Sequence, residues 1–198
     1  MTNGEPSFWH AYEQREDLQA YNEDSLMLFA LELMFDIEDI ELVAGNSLTD
    51  GSDDKKVDLV YIDSESGRAV IAQAYLSESM SKSEAPANKA SDLNTGVSWL
   101  LNRPIDELPI AIKSHAEELR NAINDGSINC INLCYIHNLP ESDNVLNELK
   151  TVEQSTRSII KSNYNQAQLD TRFNLEVHHI VYRRIQPGLE NSSTSSLY

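Results

Sequence analysis

The sequence predicts an α/β fold, a single mixed β-sheet flanked by helices, and three observations predict it. Two β-rich runs, 57–62 and 69–76, are separated by Ser64, Glu65, Ser66 and Gly67, the spacing of a hairpin. A later apolar run, 128–136, and an alternating one, 173–185, each follow a long stretch of helical periodicity. Helical crossovers of that kind join parallel strands. Finally, 40% of the 198 residues are hydrophobic, which suits one domain with its own core.

Taken in order, a short helix that is polar on one side is expected over 8–21. A stronger helix runs from about 23 to 35, where Leu26, Met27, Ala30, Leu33 and Met34 recur at helical spacing. Residues 40–44 read as a weak strand, and GNSLTDGSDD as the polar loop after it. Beyond the hairpin, Pro86 fits the first turn of a helix. Its apolar stripe is Ala87, Ala90, Leu93, Val97, Leu100 and Leu101, and Pro104 ends it. Another helix fills about 107–124, with Gly126 just past its end. Ser142 is placed to cap a helix carrying Val145, Leu149, Val152, Thr156 and Ile159. The tail after Gly188, LENSSTSSLY, is Ser-rich and expected to be loose. The expected organisation is an N-terminal helical segment over 1–22, a domain over 23–187 and a polar flexible tail over 188–198.

Composition narrows the function. Fifteen Lys and Arg stand against 32 Asp and Glu, a formal net charge of −17. Phosphate neutralisation supplies most of the affinity of nucleic-acid binders, so the whole-molecule field opposes DNA and RNA. No apolar run reaches the roughly 18 residues of a membrane span, and no basic-then-apolar leader opens the chain. Cys130 and Cys134 share one strand four residues apart, too far to bridge. They read as small buried hydrophobes in a reducing, cytoplasmic compartment. There is no P-loop, Rossmann fingerprint, nucleophile elbow or zincin motif. His178 and His179 are adjacent on a strand and point to opposite faces. His137 reads as a hydrogen-bonding edge residue.

The hairpin carries the sharpest inference. If its turn is symmetric about residues 65 and 66, paired positions sum to 131, so Asp58 faces Gln73 and Lys56 faces Tyr75. Opposed side chains share a face, with Cβ atoms about 5 Å apart. Val57, Leu59, Ala72 and Ala74 flank the first pair, so a carboxylate and an amide carry a desolvation cost. They either satisfy each other structurally or form a site. As hard oxygen donors they suit Mg²⁺ or Mn²⁺, ions that polarise a phosphodiester and activate water.

An acidic residue opening a helix, a Gly/Asp-rich loop, VDLVYID, a turn and AVIAQAYL together resemble the core of the PD-(D/E)XK nucleases. The resemblance is closest to the Mrr-like branch, in which Gln replaces the second acid of the motif in a Gln-x-Lys pattern. The stretch TDGSDDKKVDLVYIDSESGRAVIAQAYLSES, with EAPANKASDLNTGVSWLL after it, is similar to the N-terminal domain of AIPR-type abortive-infection phage-resistance proteins. The similarity is clearest over 23–103 and extends to about 185. It implies a restriction-endonuclease-like core, Mg²⁺ or Mn²⁺ as cofactor and a place in antiviral defence. Residue by residue, Asp58 matches the metal-binding Asp and Gln73 the motif Gln. Glu23 is the choice for the helix acid, with Glu32 as runner-up.

The motif lysine would fall at Tyr75, whose phenol, with a pKa near 10, is a poor substitute at pH 7. Lys89 on the following helix is the preferred replacement and Lys56 the second. A surface ion pair between Lys89 and Asp92 explains both residues equally well. Two functions follow: a metal-dependent nuclease domain, with Asp58, Gln73, Glu23 and Lys89 as its site, or a catalytically inactive nuclease-fold module for recognition or oligomerisation. The implied partners are nucleic acid, a larger C-terminal region and a second copy of the chain.

Overall fold

The computed structural model describes residues 8–49, 54–79, 82–164 and 173–181, and among them are six α-helices and four strands. In chain order these are α1 (Phe8–Glu13), α2 (Ser25–Phe35), α3 (Ile40–Ser47), β1 (Leu59–Asp63), β2 (Arg68–Tyr75), α4 (Ala87–Asn102), α5 (Ile110–Asp125), β3 (Cys130–His137), α6 (Asp143–Asn163) and β4 (Asn174–Val181). A 3-10 segment, Leu18–Asp24, leads into α2. The strands form one sheet in the order β1-β2-β3-β4, antiparallel between β1 and β2 and parallel thereafter. This is the mixed sheet with flanking helices that the connections predict.

The hairpin register is the expected one. Leu59 pairs with Ala72 and Asp63 with Arg68, so each pair sums to 131. The Asp63 carboxylate accepts from the backbone N–H groups of Glu65 (3.0 Å) and Ser66 (3.2 Å) and holds the turn. Gly67 completes it at φ +71°, a conformation that glycine adopts without a Cβ penalty.

Period-two alternation sends the sheet residues into two cores. Val60, Ala69, Ile71, Ile131 and Leu133 pack under α4, α5 and α6. Leu59, Val70, Ala72, Cys134 and Ile136 pack under α2 and α3. The helix ends follow local chemistry. Ser142 Oγ accepts from Val145 N to cap α6, and Gly126, at φ +81°, ends α5 in the left-handed conformation.

Residues 40–44 are not a strand. They open α3, because the Asp39 carboxylate caps it through Leu42 N (2.9 Å) and Ile40, Val43, Ala44 and Ser47 make a helical stripe on the core. Helical spacing thus outweighs the β-branched composition. His137 is not at a sheet edge either, since β3 lies between β2 and β4. The tail after Gly188 and the end of the last expected strand, 182–185, lie outside the described residues. Among the described residues no helix is long and apolar enough to cross a membrane.

Candidate functional site

Regular pairing of β1 with β2 stops at Leu59, and the residues before it turn away from the sheet. Lys55 and Lys56 both take positive φ, at 56° and 73°. Asp58 N still donates to Ala72 O (3.0 Å), but Ala74 N lies beyond the regular ladder. The Asp58 carboxylate supplies its acceptor, with Oδ2 at 2.7 Å. The same oxygen accepts from Gln73 Nε2 at 2.6 Å. Asp58 and Gln73 are therefore neighbours, as the hairpin sum requires.

Gln73 shares its face with Ile71 and Ala69, so the helix over the pair is α4. The helix expected to open at Glu23 does not cover them. Glu23 is the penultimate residue of the 3-10 segment, and α2 begins at Ser25 on the opposite face. Glu23 nevertheless reaches the same place around the end of the sheet. A cavity of about 330 Å³ is lined by Glu23, Asp24, Thr49, Asp54, Asp58, Gln73, Ala74, Tyr75, Leu76 and Lys89. The structure thus gathers Asp58, Gln73, Glu23 and Lys89, chosen from the sequence, around one opening.

The runners-up fall outside it. Glu32 pairs with Arg15. Lys56 does not face Tyr75, because its left-handed backbone turns it toward Asp92, 4.0 Å away. Asp92 therefore partners Lys56, where Lys89 was the expected partner.

The electrostatics favour a proton or a cation at Asp58. Burial pushes its carboxyl up to about 6, against opposing contributions from Ala74 N–H and the Lys89 ammonium, while the Asp54 charge pushes it further up. Gln73 is 2% exposed, yet its Oε1 has no hydrogen-bond partner among the described residues. The amide cannot be turned to relieve this, because an ionised carboxylate only accepts and fixes Nε2 toward Asp58. A buried carbonyl oxygen without a donor costs free energy that a cation would recover.

The donor set fits a hard divalent ion. Among the described residues no three His, Cys, Asp or Glu side chains gather closely enough to hold a metal by themselves. Mg²⁺ typically takes one or two carboxylates and keeps several waters, so Asp58 with the Gln73 carbonyl is a sufficient protein share. Glu23 stands at the exposed rim.

Sequence reasoning missed three groups. Asp54 is near enough to raise the Asp58 pKa. Thr49 is buried, with its hydroxyl on Val57 O and its N–H on Asp58 O (3.1 Å), and so steadies the strand entry. Lys82 Nζ bonds the Tyr75 hydroxyl and lies 4.9 Å from the centre of its ring. The Asp54 signal was present in the Asp-rich loop, whereas the Lys82 contact depends on a chain return after β2.

Elsewhere on the face of Gln73, His137 and His179 meet at 2.7 Å between Nε2 atoms, beside Tyr135. His178 points the other way, to Asn132 Oδ1 at 2.9 Å. The two cysteines are free. Compared with protein-family models, curated proteins and solved structures, the chain matches none of them.

Proposed function

We propose that the cavity is the divalent-cation site of a nuclease-like domain of PD-(D/E)XK type, akin to the AIPR phage-resistance proteins, and that it hydrolyses phosphodiesters. The observation that carries this reading is the buried, partnerless Gln73 Oε1 beside a desolvated carboxyl. Asp58 and Gln73 would hold Mg²⁺ or Mn²⁺. Such an ion supplies Lewis acidity toward a phosphodiester and toward water. The chain's own part is positional. Ala74 N and Gln73 Nε2 fix one oxygen of the Asp58 carboxylate, and Oδ1 takes no hydrogen bond from a described residue. Lys89 brings a positive charge to the same cavity and acts on Asp58, which suits it to stabilise developing negative charge.

Calorimetric titration with Mn²⁺ tests the site, and hydrolysis of bis(p-nitrophenyl) phosphate tests the chemistry. Wild type should take up one ion and turn the ester over, and Asp58→Asn should lose both. Absence of Mn²⁺ uptake would sink the reading.

The second reading, an inactive module for recognition or oligomerisation, is favoured by Tyr75 at the motif lysine and by the net charge of −17. It requires the absence of turnover, with or without Mn²⁺ uptake.

A further inference from the structure

Tyr75 is the position where the chain departs most from the motif it resembles, and it is also the position with an unexplained partner. Tyr75 lines the cavity with Asp58, Gln73 and Lys89. The Lys82 ammonium donates to its oxygen. An ammonium has only donors to offer, so the phenol oxygen is the acceptor in that bond. The phenol's own proton then remains to be given away, and no described residue accepts it. A hydroxyl that accepts from a cation becomes a stronger donor, because linked hydrogen bonds polarise one another.

We propose that Tyr75 is an anion-recognising residue of the site, donating its O–H to a non-bridging oxygen of a bound phosphodiester, with Lys82 as the positioning residue that polarises the phenol. The proposal rests on the reading of the cavity as a cation site. Tyr75 and Lys82 together then deliver what a single lysine would deliver from the same strand position: a donor backed by positive charge. Tyr75 lines the cavity and Lys82 does not, so the charge backs the phenol from outside the lining. The phenol has only two rotatable side-chain bonds and is held at its far end by Lys82. Little conformational entropy is lost when it binds. The substrate class recognised this way carries a tetrahedral anion next to the cation, as a phosphodiester does, in preference to a carboxylate or a neutral ester.

The experiment uses the whole chain and two calorimetric titrations, one with Mn²⁺ and one with a thymidine dinucleotide in the presence of Mg²⁺. Tyr75→Phe should leave Mn²⁺ affinity unchanged and weaken dinucleotide binding about 10- to 100-fold, the usual worth of a hydrogen bond to a charged group. Lys82→Met should weaken it in the same direction, and Lys82→Arg should restore it, because a cation rather than a stem is needed. Tyr75→Lys should bind the dinucleotide at least as tightly as wild type. If Tyr75→Phe binds the dinucleotide as wild type does while Mn²⁺ uptake persists, this inference falls and the cation site stands. If Lys82→Arg is as weak as Lys82→Met, the polarising role falls. If wild type takes up no Mn²⁺, the cation site falls and the inference with it.

Discussion

Asp58 is held where its neutral form is favoured, and that has consequences for stability. Its folded pKa of about 6 lies above the ordinary carboxyl value of 3.8. A raised folded pKa means that the stability it contributes is full below about pH 4 and is lost as pH rises through 6. By pH 8 the loss approaches about 3 kcal/mol, from about 1.4 kcal/mol per pH unit. Asp58→Asn keeps an oxygen acceptor but no charge. It should therefore raise the urea midpoint clearly at pH 8 and much less at pH 5. An equal effect at both pH values would show that ionisation is not the cause. On the proposed reading the same carboxyl sets the pH dependence of ion binding. Binding must displace its proton, so Mn²⁺ affinity should fall about tenfold per unit below pH 6 and level off above pH 7. The histidines act in the opposite sense. Burial lowers His178 and His179, so the stability tied to their neutral forms is present above pH 6.5 and is lost on acidification.

At the scale of elements, the site depends on how closely the strand entry meets α4. Gly96 makes that approach possible. A Cβ on it would lie 2.1 Å from Val57 Cγ2 and 3.0 Å from Lys56 O. Gly96→Ala should destabilise the protein by about 1–3 kcal/mol through overpacking, exceeding the helix-propensity gain of about 1 kcal/mol. It should also weaken Mn²⁺ binding, because the loop bearing Asp54 and Asp58 has to shift. Gly45 is the control. It lies in α3 with nothing within 4 Å of its would-be Cβ, so Gly45→Ala should stabilise by up to about 1 kcal/mol and leave the site alone. Thermal melts with Mn²⁺ titrations on both variants check the pair. The elements also show what a sequence makes legible. The hairpin register was readable because alternation and a short turn permit one pairing, and a slip would turn every side chain over. That alone brought Asp58 to Gln73. Residues 40–44 read as a strand on Ile40 and Val43 alone, in a short segment whose cap at Asp39 is equally common in turns. The turning away of Lys56 was out of reach for another reason. Positive φ at two consecutive lysines is not written in lysine, and it sends Lys56 to Asp92.

For the molecule as a whole, charge and chemistry pull apart. The proposed substrate is a phosphodiester, yet the chain carries −17, and the cavity rim adds Glu23, Asp24 and Asp54 to Asp58 against Lys89. A bound divalent ion reverses that balance only locally, over about one Debye length, 8 Å at physiological salt. A polymer of phosphates feels the rest of the surface before it reaches the cavity. The isolated chain should therefore cleave naked plasmid, single-stranded DNA or structured RNA poorly, even where it hydrolyses a singly charged diester. The sign of the salt effect separates this from a defective site. A basic nuclease loses substrate affinity as salt rises, because counterion release is its driving force. Here salt screens a repulsion, so cleavage per unit enzyme should rise from 10 to 150 mM NaCl at saturating Mn²⁺, while turnover of bis(p-nitrophenyl) phosphate stays nearly level. Robust plasmid cleavage at 10 mM salt that disappears in Asp58→Ala and falls as salt is added would overturn the argument. It would mean that a basic surface outside the described residues captures the substrate.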